Sequence, residues 1–144
     1  MPDECSLCRP DLAPKLMTSA LWALILNHNQ NLLGKCFLAL NRHLEAVTAL
    51  TTGDWLDLQV QLRRATEMLI SAFQPDHFNY AFLQNQDRHV HLHIIPRYAA
   101  PRDFGGSTFY DPDYPSHYSV PSPDLRLSAD QLAALAAHLQ KRLQ

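Results

Sequence analysis

The first half of the chain alternates between two spacings of hydrophobic residues. Prolines within residues 1–19 predict an irregular N-terminal arm. Residues 20–27 and 32–41 are short, mostly apolar runs joined by the turn-forming sequence HNQN, and this arrangement predicts a β-hairpin. After residue 51 the apolar positions recur every three or four residues, which is the spacing of an amphipathic helix. The sequence TTGD caps this long helix, and Pro75 ends it.

The second half returns to strand spacing before a long stretch rich in proline and aromatic residues. Residues 78–83 and 88–96 predict two further strands joined by a short polar connection. Residues 97–127 hold five of the ten prolines, and we expect an ordered loop that wraps the surface. The sequence SADQ is a capping box, and it predicts a final helix over residues 128–144.

Together these elements predict the α+β class, with an antiparallel sheet, a long helix between the two strand pairs and a C-terminal helix. The length of 144 residues favours a single domain over residues 1–144. A composition of 47% hydrophobic and 18% charged residues is that of an ordinary globular protein. No apolar run approaches the ~20 residues of a membrane helix, so we expect no membrane partner.

Charge and the N-terminal sequence narrow the possible partners. Lysine and arginine total 12 against 14 acidic residues, and the formal net charge of −2 argues against a nucleic acid polymer. A small nucleotide remains compatible with that charge. The N-terminus lacks the pattern of a signal peptide, and we therefore expect a cytoplasmic protein.

Three of the eight histidines occupy alternate positions in the sequence HVHLHIIP, namely His89, His91 and His93. Because alternate residues of a strand share a face, the predicted strand would present all three imidazoles on one side. Neighbouring rings would stand about 6.5–7 Å apart, so that one phosphate could contact them. This spacing alone is compatible with a metal site, a nucleophilic histidine or a pH-responsive surface.

The same segment resembles the signature of the histidine triad family, in which histidines and apolar residues alternate as His-φ-His-φ-His-φ-φ. The match is complete over residues 89–95, and Pro96 and Arg97 also resemble many members. Upstream, the sequence CFLALNRH and the following LT resemble the family's second strand, its histidine and the start of its helix. The resemblance covers about residues 5–100.

This resemblance implies a nucleotide-binding protein, usually a homodimer, that hydrolyses or transfers nucleotides at the α-phosphate. The family's substrates include adenosine phosphoramidates, diadenosine polyphosphates and nucleotidylated adducts. His91 would attack phosphorus and form a nucleotidyl-histidine intermediate, from which water releases the nucleoside monophosphate. His93 would lie beside the phosphate and assist charge or proton transfer, and His89 completes the catalytic set.

Two asparagines resemble family positions that contact the substrate. Asn85 corresponds to a residue near the phosphate or the leaving group, and Asn27 to one near the ribose hydroxyls. Asparagine is also typical of turns, so a purely structural role stays open for both. The connection from Asn85 to His89 is shorter than in several relatives, and phosphate contacts must therefore differ.

A second constellation involves the cysteines of the arm. A Cys-x-x-Cys pair such as Cys5 and Cys8, in a chain without an export signal, is more often metal-binding or redox-active than a disulfide. In zinc-containing family members the two cysteines, an upstream histidine and the first triad histidine share one metal. The resemblance therefore implies a structural Zn²⁺ held by Cys5, Cys8, His43 and His89. The alternative is two reduced cysteines with His43 in a hydrogen bond.

We expect a hydrolase that acts through His91, because release to water needs no second substrate site. The alternatives are a nucleotidyltransferase or phosphorylase of the same family, a zinc-stabilised nucleotide-binding module without catalysis, and a hydrolase with a catalytic zinc. The expected partners are a small-molecule nucleotide and a second copy of the chain. Zinc is the expected cofactor, with no organic cofactor.

Overall fold

The computed structural model describes residues 5–9 and 13–143. In chain order its strands and helices are β1 (Lys15–Thr18), β2 (Trp22–Leu26), β3 (Cys36–Leu40), α1 (Thr52–Phe73), β4 (His77–Ala81), β5 (His91–Arg97), β6 (Arg102–Phe104), β7 (Ser107–Phe109) and α2 (Ala129–Gln140). Short 3-10 turns occur at Ser6–Cys8, Val47–Ala49 and Lys141–Leu143. None of the helices in the described part of the chain has the length and hydropathy that crossing a membrane requires.

Five of the strands form one antiparallel sheet in the order β1-β2-β3-β5-β4. The central pairing joins β3 to β5, and it places Phe37 opposite His93 and Ala39 opposite His91. Strands β6 and β7 form a separate hairpin. The predicted α+β class is confirmed, with α1 connecting β3 to β4 and α2 following the sheet.

Helix α1 begins where the sequence predicts, because two side chains satisfy its first backbone N–H groups. The Thr51 hydroxyl accepts from the Asp54 N–H, and the Asp54 carboxylate accepts from the Thr51 N–H. Asp54 also pairs with Arg42 at 2.6 Å, and these hydrogen bonds hold the pKa of its carboxyl well below the usual range. The ion pair ties the segment that carries His43 to the start of the helix.

The two faces of the sheet are buried by different elements. One face packs under α1 and α2 and forms the main hydrophobic core. Its fully buried members include Trp22, Leu24, Leu26, Leu38, Met68, Leu69, Ile94, Leu135 and Leu139. The opposite face buries a small cluster that includes Ile25 and Phe37, against which Leu7 and Ala13 of the arm pack. This second face, which we call the open face, carries the candidate site.

Three expectations about segment boundaries require correction. Within the predicted irregular arm, Lys15–Thr18 forms a strand because the edge of β2 offers it backbone hydrogen-bond partners. Within residues 97–127, β6 and β7 form a hairpin whose turn uses Gly105 and Gly106 at positive φ. The predicted strand 88–96 begins only at His91. Val90 instead exchanges hydrogen bonds with the backbone of Leu40 and Leu44, so the chain bends at this point.

A buried ion pair holds the segment that follows β5 against the sheet. Arg97 and Asp111 are both almost fully buried, and their side chains meet at 2.7 Å. Arg97 also donates to the Ser116 carbonyl oxygen, and the Asp111 carboxylate accepts from the Tyr98 N–H. Burial by itself would raise the pKa of Asp111, but these hydrogen bonds bring it below its ordinary value.

Candidate functional site

His91 lies at the start of β5 with its ring held in one orientation. Its Nδ1 is 2.6 Å from the carbonyl oxygen of His89. A carbonyl can only accept, so Nδ1 carries the hydrogen and Nε2 keeps a free lone pair. The side chain is only 6% exposed and lines the main groove of the open face. The backbone therefore fixes the orientation of the His91 ring and leaves Nε2 available to whatever enters the groove.

His93 is the immediate neighbour of His91 on the same face of β5. The two ring centroids are 4.7 Å apart in an edge-on arrangement, and Phe37 contacts both rings. Burial, together with the nearby His91 and Lys35, lowers the pKa of His93 to about 4, with Asp87 acting in the opposite direction. His93 is therefore neutral at neutral pH and can donate or accept a hydrogen bond, but it does not supply a positive charge.

The groove beside these rings has a volume of about 580 Å³. Its floor is the open face of β3 and β5, and its walls come from the connection before β5, the arm and the segment 118–126. The lining side chains include Leu7, Asn27, Lys35, Phe37, Asn85, Asp87, His91, His93, Ile95, Tyr118, Asp124 and Arg126. A mixed polar and apolar cleft of this size is suited to a small organic ligand.

The two predicted substrate-contacting asparagines both line this groove. Asn85 is exposed in the connection that precedes β5. Asn27 follows β2, where its side-chain oxygen accepts the N–H of Asn29 at 2.9 Å. Asn27 therefore has the turn role that its sequence context also allowed, and its position leaves it facing the ligand space.

Cys5, Cys8, His43 and His89 form one compact cluster beside the triad. Their ligand atoms all lie within 4.8 Å of one another, and sulfur–nitrogen separations are 3.4–3.5 Å. A tetrahedral zinc with bonds of about 2.3 Å to sulfur and 2.0–2.1 Å to nitrogen has sulfur–nitrogen edges of about 3.5 Å. The donor set and its spacing therefore fit Zn²⁺. All four residues proposed from the sequence are brought together.

The prediction that three imidazoles share one strand face is wrong for His89. Because the chain bends before His91, the His89 ring turns away from the groove and lies against His43, with ring centroids 5.2 Å apart. Its Nε2–H donates to the Leu40 carbonyl oxygen at 2.7 Å, which directs Nδ1 at the cysteine sulfurs. The side chain thus belongs to the cysteine cluster, and its carbonyl oxygen belongs to the triad.

The surroundings of the cluster favour metal ligation. Burial lowers the pKa of His89, which keeps its ring neutral as a ligand must be. His43 places Nδ1 near Cys8 and Nε2 at 3.1 Å from the Glu45 carboxylate. Hydrogen bonds of this kind from the second ring nitrogen orient histidine ligands in metal sites. Both histidines therefore offer Nδ1 to the same point.

Sequence reasoning missed the charged end of the groove. Lys35 immediately precedes β3, while Asp124 and Arg126 come from the segment after the aromatic region. Because alternate residues of a strand share a face, the predicted strand 32–41 already indicated that Lys35 lies on the same face as Phe37. No local pattern indicated that Asp124 and Arg126 return to the same place, because long-range contacts between Asn29 and Leu125 decide it.

Comparison with solved structures identifies the architecture. A histidine triad protein from Marinobacter aquaeolei superposes with a TM-score of 0.73 at 24% identity, over 90% of this chain and 88% of that one. A histidine triad protein from Sinorhizobium meliloti gives 0.73 at 19%, over 89% and 87%. The chain has the histidine triad fold. No protein-family model matches this sequence, and no curated protein matches it significantly.

A third histidine triad structure bears on the cysteine cluster. A protein of this fold from Mycobacterium smegmatis, described as zinc-bound, superposes with a TM-score of 0.67 at 16% identity, over 99% of this chain and 95% of that one. The histidine triad fold thus accommodates zinc in at least one solved case. In the present chain the four clustered ligands supply the donors for such an ion.

The buried, neutral state of His93 predicts a specific loss of stability in acid. Because the folded pKa of about 4 lies below the ordinary 6.5, the unfolded chain binds the proton more readily. The stabilisation is complete above pH 6.5 and is lost as the pH falls toward 4, by about 3 kcal/mol at most. Urea unfolding at several pH values will measure this slope. His93→Gln should show a shallower slope over that window, and identical slopes would contradict the prediction.

Proposed function

We propose that this protein is a hydrolase that cleaves nucleotides at the α-phosphate, with His91 as the nucleophile. The observation that carries the proposal is the 2.6 Å hydrogen bond between His91 Nδ1 and the His89 carbonyl oxygen. It leaves the Nε2 lone pair facing a groove of nucleotide size. The histidine triad fold supports the same assignment.

The proposed reaction has two steps. Nε2 of His91 attacks the α-phosphorus, and the leaving group departs with the bonding electron pair; a leaving amine takes up a proton from solvent as it departs. A water oxygen then attacks the same phosphorus and loses a proton to solvent, the phosphorus–nitrogen bond breaks, and the ring nitrogen recovers its lone pair. The product is a nucleoside monophosphate. Phosphoramidates and dinucleoside polyphosphates are the substrate classes that we expect.

The neighbouring groups support this reaction in distinct ways. His93 is neutral and lies beside the nucleophile, so it can hydrogen-bond a phosphoryl oxygen or the incoming water. His89 acts through its carbonyl oxygen, which also stabilises the positive charge that develops on the His91 ring. Asn85 lies in the groove wall, where its amide can contact the phosphate or the leaving group. If the same site were a transferase, a second substrate would have to accept the nucleotidyl group in place of water.

Replacement of the nucleophile provides the direct test. His91→Asn should lower the release of AMP from adenosine phosphoramidate or diadenosine polyphosphates by about 10³-fold or more, because no first step remains. AMP affinity should change little, since the groove is intact. Chromatography of the products and calorimetric titration with AMP measure the two quantities.

The matched control is His77→Asn, at an exposed histidine on β4, which should retain wild-type turnover. Undiminished AMP release by His91→Asn would overturn the mechanism. Binding of AMP without turnover of any of these substrates would favour the binding-module alternative.

We also propose that Cys5, Cys8, His43 and His89 hold one structural Zn²⁺. The ion would join the arm to the bend before β5 and so fix the carbonyl that orients His91. All four protein ligands are used, so the ion has no open position for substrate and serves stability. Both cysteines must be reduced and deprotonated to bind the ion.

Metal analysis tests this assignment. Purified protein should contain about one zinc per chain, and Cys8→Ser should lose most of it. Removal of the metal by a chelator should lower Tm by several degrees, with activity lost only as the protein unfolds. Cys36→Ala changes the third cysteine, which is buried in the core, and should retain zinc. Activity lost on chelation without any change in Tm would instead indicate a catalytic metal.

We further propose that the protein forms a homodimer through the flank of α1 beside β4. Strand β4 is an edge of the sheet, and Tyr80 on it contacts Thr66 of α1. Trp55 and Ile70 lie on the same helical flank and are 44% and 48% exposed, as is Tyr80 at 45%. An apolar patch beside an open antiparallel edge is suited to pairing with the same surface of a second copy.

A charge placed in this patch should separate the dimer. Ile70→Glu should shift the species in sedimentation from dimer to monomer, because a carboxylate would be buried without a partner. Val60→Glu is the control, since Val60 is 54% exposed, against 48% for Ile70, but lies on another side of α1. A monomeric wild-type protein would refute the proposed interface.

A further inference from the structure

A buried lysine at the far end of the groove has no part in the reaction proposed above. Lys35 is only 7% exposed and lines the same groove as His91. It lies two residues before Phe37, on the same face, and four residues before Ala39, which is opposite His91. Lys35 and His91 are therefore separated by about 13 Å along the strand direction.

The immediate surroundings of Lys35 neutralise its charge only in part. Its ammonium donates to the Asn31 side-chain oxygen, and Asp124 is the acidic group that attracts it. The Asp124 carboxylate already pairs with Arg126 at 3.1 Å, so two cations share one carboxylate at this end. The other titratable side chains that line the groove are His28, Asp87, His91, His93 and Tyr118.

This arrangement favours the binding of an anion. Burial lowers the pKa of Lys35 to about 8, which shows that its charged form is poorly solvated, although it remains mostly protonated at neutral pH. A buried ammonium gains most from a charged acceptor, because charge-assisted hydrogen bonds are stronger than those to an amide such as Asn31. A neutral ligand group in this place would leave the cost of burial uncompensated.

We propose that Lys35 recognises a second phosphate on the ribose of the substrate, so that the preferred nucleotides carry a 2′- or 3′-phosphate besides the reacting α-phosphate. The inference rests on the proposed function, because His91 fixes where the α-phosphate lies. From there the groove leads along β3 and β5 toward Lys35. The ribose follows the α-phosphate directly, and the long lysine side chain spans the remaining distance.

Calorimetric titration of the full-length protein with product nucleotides tests this assignment. The probes are AMP, adenosine 2′,5′-bisphosphate and adenosine 3′,5′-bisphosphate. We expect one of the bisphosphates to bind about tenfold to a hundredfold more tightly than AMP near neutral pH, as a charge-assisted hydrogen bond in a partly buried site provides. Whichever isomer is preferred identifies the ribose position that Lys35 contacts.

Two variants separate Lys35 from general electrostatics. Lys35→Met keeps the length and apolar stem of the side chain. In this variant the bisphosphate should bind about as tightly as AMP, and the affinity for AMP should be retained. Lys15→Met removes an exposed charge on β1, outside the groove, and should leave the preference unchanged. Thermal unfolding verifies that both variants fold.

The wild-type protein offers a second test that needs no substitution. At about pH 10 most of the free Lys35 has lost its proton, so the preference for the bisphosphate should narrow, whereas AMP binding should change less. The titration at high pH decides the question if Lys35→Met does not fold.

Several results would overturn the inference, and they are distinguishable from failure of the proposed function. Equal affinity for AMP and both bisphosphates would refute the second phosphate site but leave the hydrolase proposal intact. A preference that survives in Lys35→Met, or at high pH, would assign it to another group. If none of the three nucleotides binds, the proposed nucleotide function itself fails, and this inference fails with it.

Discussion

The antiparallel pairing of β3 with β5 at the centre of the sheet is the constraint on which the site depends. Its register sets Phe37 opposite His93 and Ala39 opposite His91. Strand alternation then sends Leu38 and Ile94 into the core under the helices while the histidines face outward. A slip of one residue would exchange the two faces, so burial of the core and exposure of His91 to the groove are enforced together.

The bend at His89 joins two sites that a regular strand would have kept apart. The side chain of His89 donates to the Leu40 carbonyl oxygen and turns Nδ1 to the cysteines, while its own carbonyl oxygen accepts from His91. His89 therefore links the cysteine cluster directly to the carbonyl oxygen that orients the His91 ring. In this view the metal that we propose would contribute to reactivity only indirectly, by preorganising the backbone.

The segment after β5 completes the groove because buried charges tie it down. Arg97 and Asp111 are nearly inaccessible to solvent, and additional hydrogen bonds satisfy both groups. Removal of either partner would leave a buried charge without a partner, so the ion pair constrains the path of this segment. Farther along, Asn29 exchanges hydrogen bonds with the backbone at Pro123 and Leu125. These contacts bring Asp124 and Arg126 over Lys35.

Local pattern alone determined the elements that depend on short-range chemistry. The capping box at Thr51 and the apolar spacing of α1 fixed that helix, and the alternation of residues 91–95 fixed which side chains face the groove. The cysteine cluster was also predicted, through resemblance. The bend at His89, the strand in the arm and the charged end of the groove were decided only by tertiary structure. Each depends on backbone partners or ion pairs supplied by residues distant in sequence, and no local spacing encodes those contacts.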